Sequence, residues 1–394
     1  MTDEISNKAT ILAVDDAPEN LDVVKGILVP EYSVKAAING KMALKIAESQ
    51  QPDLILLDVM MPEMDGYDVC RELKKNPLTS HIPVIFLTAK DESEDEAAGL
   101  DLGAADYISK PVNPSILKAR VKTHLALKRN MERLQSAYEV IKKQKDRMEE
   151  ELILAAQIQA KMVPPGSPAL PDRPDIDLWA SLHPAREVGG DLYDFQIVKD
   201  GKLCFCVGDV SGKGVPAALF MATAKTLIKA RSFDDSSPAS IVTQVNATLC
   251  EDNEASMFVT LFLGILDLVT GELTYTNAGH NPTFVKRTDG AVKALTKLHG
   301  PIVAVADDFD YGESMLKLNA GDLLFAYTDG VTEAMNNDEA LYSTSRLQTL
   351  IAESTLSCAE DALRIVIEDV RRFEEGAEQA DDVTILTLKM LSSG

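Results

Sequence analysis

From Pro114 to Met162 the chain runs without a glycine or an internal proline and stops at Val163-Pro164-Pro165. Ala, Leu, Lys, Glu, Gln and Arg dominate this stretch, so local propensity favours one long stiff helix over a flexible tether. Apolar or permissive residues recur at alternating three- and four-residue steps, at Leu134, Tyr138, Ile141, Lys145, Met148, Leu152, Ala155, Gln159 and Met162. That is the spacing of a coiled-coil seam, with charge filling the other faces. Lys145 and Gln159 weaken the seam, and the alternative is a solvated spacer helix with no partner. A rod here divides the chain into a first domain over residues 1–125, a coiled-coil signalling helix over 126–163 and a second domain over 164–394.

The 394 residues, 45% hydrophobic and 26% charged, are enough for two globular domains and a connector. A formal charge of −23 repels phosphate backbones and anionic lipid, and only the mixed stretch from Lys118 to Arg133 stands against that field. Nucleic-acid binding is therefore disfavoured. No apolar run approaches bilayer length, and MTDEISNKAT lacks the regions of a signal peptide, so a cytoplasmic chain without a membrane partner is expected. The five cysteines, Cys70, Cys204, Cys206, Cys250 and Cys358, show no zinc spacing, and an odd number argues against a disulfide framework. Cys204 and Cys206 alternate in LCFCVGD as buried strand residues.

Before the rod, short apolar strands alternate with amphipathic helices: TILAVDD, a helix from Pro18 through Leu28, YSVKAA, a helix near Lys41 to Ser49, DLILLD, IPVIFLTA and ADYISKP. Such alternation predicts a doubly wound parallel sheet, whose function sits beyond the carboxyl ends of its strands. Those ends carry Asp15 and Asp16, Asp58, Thr88 and Lys110. Two acids can hold a hard cation, one can attack phosphorus, and Lys and Thr can bind phosphoryl oxygens. VDD at Val14 to Asp16, LLDVMMPEMDG at Leu56 to Gly66, Thr88-Ala89 and Lys110-Pro111 resemble the receiver domain of two-component response regulators over about residues 8 to 125. The resemblance implies that Asp58 accepts a phosphoryl group from a sensor histidine kinase or phosphotransfer protein. It also implies that Asp16, Asp58 and the Met60 carbonyl coordinate Mg²⁺, with Asp15 assisting. Thr88 and Tyr107 would be the switch pair and Lys110 the phosphoryl-binding cation; the alternative for Tyr107 is a plain half-buried aromatic.

After the Pro- and Asp-rich break PPGSPALPDRPDID, strand-like runs come in succession, with helices near Val215 to Arg231, Pro238 to Asp252 and Ala359 to Glu375. This is the pattern of an α+β fold with two packed sheets and helices outside. Asp191, Asp209, Asp329 and Asp381-Asp382 punctuate the strand ends, and carboxylates without imidazole or thiolate favour Mg²⁺ or Mn²⁺. Two such ions about 3.5 to 4 Å apart can activate a water for in-line attack on a phosphate ester. EVGGDLYD at Glu187, GDVSGKGVPAALFMA at Gly208, NAGHNP at Asn277, YTDGVTEA at Tyr327 and DDVT at Asp381 resemble the SpoIIE-like branch of the PPM (protein phosphatase 2C-like) metal-dependent serine/threonine phosphatases. The resemblance implies two packed antiparallel sheets and two Mg²⁺ or Mn²⁺ ions. Asp209 would bridge both ions and Val210 would offer its carbonyl. Asp191, Asp329 and Asp381 complete the set, and Asp382 is the weaker ligand candidate of its dipeptide. Where many relatives have His, position 213 is Lys, so water would protonate the leaving oxygen. Arg186 could hold the substrate phosphate or merely form a surface ion pair, and NAGHNP reads as a hairpin turn rather than a catalytic loop. ELILAAQIQAKMVPP looks like this branch's regulatory lead-in, packed on the catalytic sheet.

The whole reads as a response regulator whose phosphorylation at Asp58 controls a protein phosphatase through a homodimeric coiled coil. By resemblance its substrate is a phosphorylated anti-sigma factor antagonist in a partner-switching pathway. The rival is a non-enzymatic adaptor, which would need none of the acids. A DNA-binding regulator lacks a basic recognition helix.

Overall fold

A computed structural model describes residues 8–89, 101–165, 170, 173–251 and 253–391. Part of the Pro- and Asp-rich break, and Asp252 at the end of an expected helix, lie outside them. The chain forms two compact units, Met1–Lys145 and Asp146–Gly394.

The first unit is a five-stranded parallel sheet in the order β2-β1-β3-β4-β5, made of Thr10–Val14 (β1), Ser33–Ala37 (β2), Leu54–Asp58 (β3), Val84–Thr88 (β4) and Asp106–Ser109 (β5). Every residue of β1 after Thr10, and all of β3 and β4, is buried, because apolar layers cover both faces. Helix α1 (Pro18–Leu28) starts on proline, whose missing N–H costs nothing in the first turn. Asn39 and Asp65 cap α2 (Gly40–Gln50) and α3 (Gly66–Lys75) by accepting from Met42 N and Asp68 N.

Helix α4 runs unbroken over Pro114–Met162, as its composition demands. Its first turns bury Leu117, Val121 and Leu125 in the first unit's core. Beyond them Leu134, Tyr138, Ile141 and Met148 of the apolar seam are exposed in the single chain.

The second unit has two five-stranded antiparallel sheets, ordered β13-β10-β9-β8-β7 and β12-β11-β14-β15-β6. The first contains Leu192–Ile197 (β7), Leu203–Val210 (β8), Val259–Leu266 (β9), Glu272–Ala278 (β10) and Ser314–Lys317 (β13). The second contains Ile176–His183 (β6), Thr283–Lys286 (β11), Val292–Leu295 (β12), Leu323–Tyr327 (β14) and Val383–Met390 (β15). Phe205, Phe262, Leu324 and Leu386 fill the space between the sheets. Helices α5 (Val215–Asp234) and α6 (Pro238–Glu251) cover the first sheet, and α7 (Thr344–Glu353) and α8 (Ala359–Glu374) the second. Cys204 and Cys206 are buried in β8, as their alternation indicates.

One expectation fails. Asn277 to Pro282 is not a hairpin turn, because β10 and β11 lie in different sheets and this segment crosses between them. Asn277 holds the crossover, its Oδ1 accepting from His280 N at 2.8 Å and its Nδ2 donating to His280 O at 3.0 Å. Among the described residues no helix is long and apolar enough to cross a membrane.

Candidate functional site

At the carboxyl edge of the first sheet, Asp15, Asp16 and Asp58 each bring one ligand atom within 4.8 Å of the others. Asp15 and Asp58 are buried at the ends of β1 and β3, while Asp16 is exposed. Lys110 Nζ donates to Asp15 Oδ2 at 2.8 Å and to Asp58 Oδ1 at 2.7 Å. The ammonium belongs to Lys110, the residue after β5, which precedes a cis bond to Pro111. Burial pushes the Asp58 carboxyl above its ordinary range, and Lys110 opposes the shift. Thr88 is buried at the end of β4 and its carbonyl accepts from Lys110 N at 2.6 Å. Tyr107 is half-buried on β5 and the Met60 side chain is exposed on the loop after β3. Gly66 permits that loop to close, since a Cβ there would fall against the Asp58 carbonyl. Asp15, Asp16, Asp58 and Lys110 thus meet at one edge, with Thr88 at the end of the neighbouring strand, while Tyr107 packs on the apolar layer beside the sheet. Three acids answered by one ammonium leave negative charge over, a donor set suited to a hard divalent cation.

In the second unit Asp191, Asp209, Asp329 and Asp381 gather from four segments. Asp191 immediately precedes β7 and is buried, with its Oδ2 accepting from Thr328 Oγ1 at 2.7 Å. Burial raises its carboxyl well above the usual range, and Asp209 pushes it in the same direction. Asp209, on β8, is pushed up to about 7 by burial and then by Asp329 and Asp381. Asp329 is raised by burial, Glu333 and Asp381, with Lys213 opposing. Four carboxylates answered, among the described residues, by one ammonium, Lys213, keep an excess of negative charge, and such a set fits divalent cations. Among the described residues no triple of these acids converges as tightly as the receiver trio; the frame is wider.

Asp382 turns away from this role. Its carboxylate accepts from Ala185 N at 2.8 Å and Gly190 N at 2.7 Å, and so fixes the backbone that presents Asp191. Residues 189 and 330 must be glycine, because a Cβ on either would strike Asp382. Asp381 instead meets Lys213, whose Nζ lies 3.0 Å from Oδ2 and donates to Ala380 O at 2.6 Å. Arg186 is exposed beside Lys213 on a cavity of about 240 Å³ that Glu378, Gln379, Ala185 and Ala380 complete. His280 is buried with its Nδ1 2.8 Å from Thr260 Oγ1, and burial lowers it to about 4.

Gln159 has another role than a seam position. Its amide donates to Gly189 O at 2.7 Å and accepts from Gly189 N at 3.1 Å, two residues before Asp191. A cavity of about 450 Å³, lined by Ala156, Gln159, Val163, Pro164, Glu187 and Tyr193, lies beside this contact. Periodicity misassigned Gln159, since a polar residue in a seam reads as a weakness. The signal for Thr328 was its place immediately before Asp329.

The family described as response regulator receiver domain matches residues 11–122, and the one described as Stage II sporulation protein E (SpoIIE) matches residues 199–391. Asp191 precedes the second match and is placed by geometry. A probable cyclic di-GMP phosphodiesterase of Vibrio cholerae is 46% identical over 162 residues, covering 39% of this chain and 37% of that protein. The phosphoserine phosphatase RsbU of Bacillus subtilis is 27% identical over 240 residues, covering 61% of this chain and 70% of that protein. The SiaA-PP2C domain of Pseudomonas aeruginosa superposes with a TM-score of 0.55 at 19% identity, over 62% of this chain and 98% of that one, which is a likeness of fold. The chain spans well under two thirds of the length of several of the curated relatives it matches. It therefore joins a response-regulator receiver domain over residues 11–122 to a SpoIIE-like domain over residues 199–391 whose fold is like that of a PP2C domain.

Proposed function

We propose that this chain is a metal-dependent serine/threonine phosphoprotein phosphatase under the control of its receiver domain. The observation that carries the reading is the gathering of Asp191, Asp209, Asp329 and Asp381 from four segments into one partly buried acidic cluster, in which Asp209 raises Asp191, and Asp329 and Asp381 raise Asp209. Two Mg²⁺ or Mn²⁺ ions, held by Asp191, Asp209, Asp329, Asp381 and the Val210 carbonyl, would supply Lewis acidity and an activated water. The remaining work belongs to the chain's own side chains. Thr328 orients Asp191, Asp382 clamps the Gly190 backbone, and Arg186 offers a guanidinium at the rim to the substrate's phosphate. The substrate class we favour is a phosphoserine or phosphothreonine on a small protein, specifically an anti-sigma factor antagonist in a partner-switching pathway. The likeness to the phosphoserine phosphatase RsbU supports a phosphoserine substrate.

In the receiver, Asp58 takes a phosphoryl group from a histidine kinase or phosphotransfer protein. Asp15, Asp16, Asp58 and the Met60 carbonyl would hold Mg²⁺, Lys110 and Thr88 would bind the phosphoryl oxygens, and Tyr107 would turn with Thr88. Exposed Leu134, Tyr138, Ile141 and Met148 support pairing of two α4 helices in a cytoplasmic homodimer. The domains of the account run over 1–125, 126–163 and 164–394, and the Gln159–Gly189 pair carries a change in the helix to the loop before Asp191.

The test is Mn²⁺-dependent phosphate release from an aryl phosphate and from a phosphoserine protein, with Asp58 free and with a receiver-phosphate mimic bound. Release that disappears in Asp209→Ala supports the reading. Full-length protein inert with both metals and both substrates would reduce it to an adaptor.

A further inference from the structure

We propose that Lys213 is a built-in occupant of the outer cation position, holding Asp381 until a divalent ion displaces it, so that the C-terminal site loads in two unequal steps. The inference rests on the metal-binding reading above. Among the described residues, Asp191, Asp209 and Asp329 have no cationic side chain within 4.0 Å, whereas Asp381 has the Lys213 ammonium at 3.0 Å. Both Asp381 oxygens are engaged: Oδ1 accepts from Asp382 N at 2.9 Å, and Oδ2 faces Lys213. Mg²⁺ takes a carboxylate oxygen at about 2.0 to 2.1 Å. An ammonium on the same oxygen would then lie within a few Å of a doubly charged ion, and like charges at that range exclude one another.

The local backbone is built for the exchange. Lys213 stands between Gly212 (φ 85°) and Gly214 (φ 76°), and a Cβ on either glycine would meet nothing within 4 Å. The 240 Å³ cavity beside it carries the Glu378 carboxylate, an alternative acceptor for the released ammonium. No comparable cation has to leave Asp191 or Asp209, so their side of the site fills first. Lys213 thereby sets the metal concentration at which the outer position fills.

The experiment uses the full chain with Asp15→Ala and Asp16→Ala, which silence the receiver acids. Mn²⁺ is titrated and the free ion counted by its paramagnetic resonance signal. The parent should show one tight and one weaker step. Lys213→Met should tighten the weaker step about tenfold while leaving the tight one in place, since a half-exposed ion pair and an adjacent positive charge are removed. Lys213→Arg should bind as the parent does, and Asp381→Ala should lose the weaker step whatever stands at 213. Equal affinities in the parent and Lys213→Met, with both steps present, would overturn the latch and leave the metal site intact. Titrations in which Asp209→Ala changes nothing would sink the metal reading itself.

Discussion

Replacing Asp209 by Asn should stabilise the metal-free protein in alkaline buffer, although it destroys a proposed metal ligand. The Asp209 carboxyl is raised from its ordinary 3.8 to about 7 in the folded chain. From about pH 4 to 7, folded Asp209 therefore keeps a proton that the unfolded chain has released, and stability falls as pH rises through that window. At about 1.4 kcal/mol per pH unit the ceiling is about 4 kcal/mol, and partial contact with water reduces it to about 1–3 kcal/mol. Asn carries no charge to repel. Asp209→Asn should thus gain about 1–3 kcal/mol at pH 8, roughly a third of that at pH 5, where the folded carboxyl is still protonated but the unfolded one is ionised, and close to nothing below about pH 4. Urea unfolding in EDTA can be followed by Trp179, the chain's single tryptophan, which lies on β6 of the second unit. Saturating Mn²⁺ should reverse the order, since a ligand at a hundred times its dissociation constant stabilises only the parent, by about 2.7 kcal/mol. A variant no more stable than the parent at pH 8, or equally stabilised at pH 8 and pH 5, would refute the claim that these acids repel one another.

Gln159→Ala removes both hydrogen bonds to Gly189 and should lower phosphate release several-fold while Asp58 still accepts phosphate from acetyl phosphate; equal release would sever the proposed link between helix and site. Lys225→Met strands the Asp194 carboxylate, its buried partner at 2.7 Å, and should cost about 3–5 kcal/mol in urea, whereas a paired apolar replacement of both should recover most of it. Gly330→Ala drives a Cβ into the Asp382 carbonyl and should cost about 2 kcal/mol or more by Trp179 fluorescence.

Much of the architecture was legible because the period of the apolar pattern changes with the element. Helix α1 begins at Pro18 and ends at Leu28 as read, and α4 is continuous because nothing in Pro114–Met162 can break it. Strands β12 and β13 and helix α7 escaped notice: each strand has four residues, and α7 has a short apolar face. The sheet crossover at Asn277 to Pro282 was misread, since glycine, asparagine and proline mark a turn without saying which sheet the next strand joins. At the site, acids beside glycines at strand ends could be picked out, but their partners could not. Lys213 binds Asp381 across 168 positions of chain, and only the folded sheets bring the two together.

A crystal of the full chain soaked in Mn²⁺ and measured at the manganese absorption edge tests the central claim most directly. The account predicts two anomalous peaks about 3.5 to 4 Å apart, framed by Asp191, Asp209, Asp329 and Asp381, with Lys213 turned away from Asp381. Absence of anomalous density between those carboxylates at saturating Mn²⁺ would contradict it.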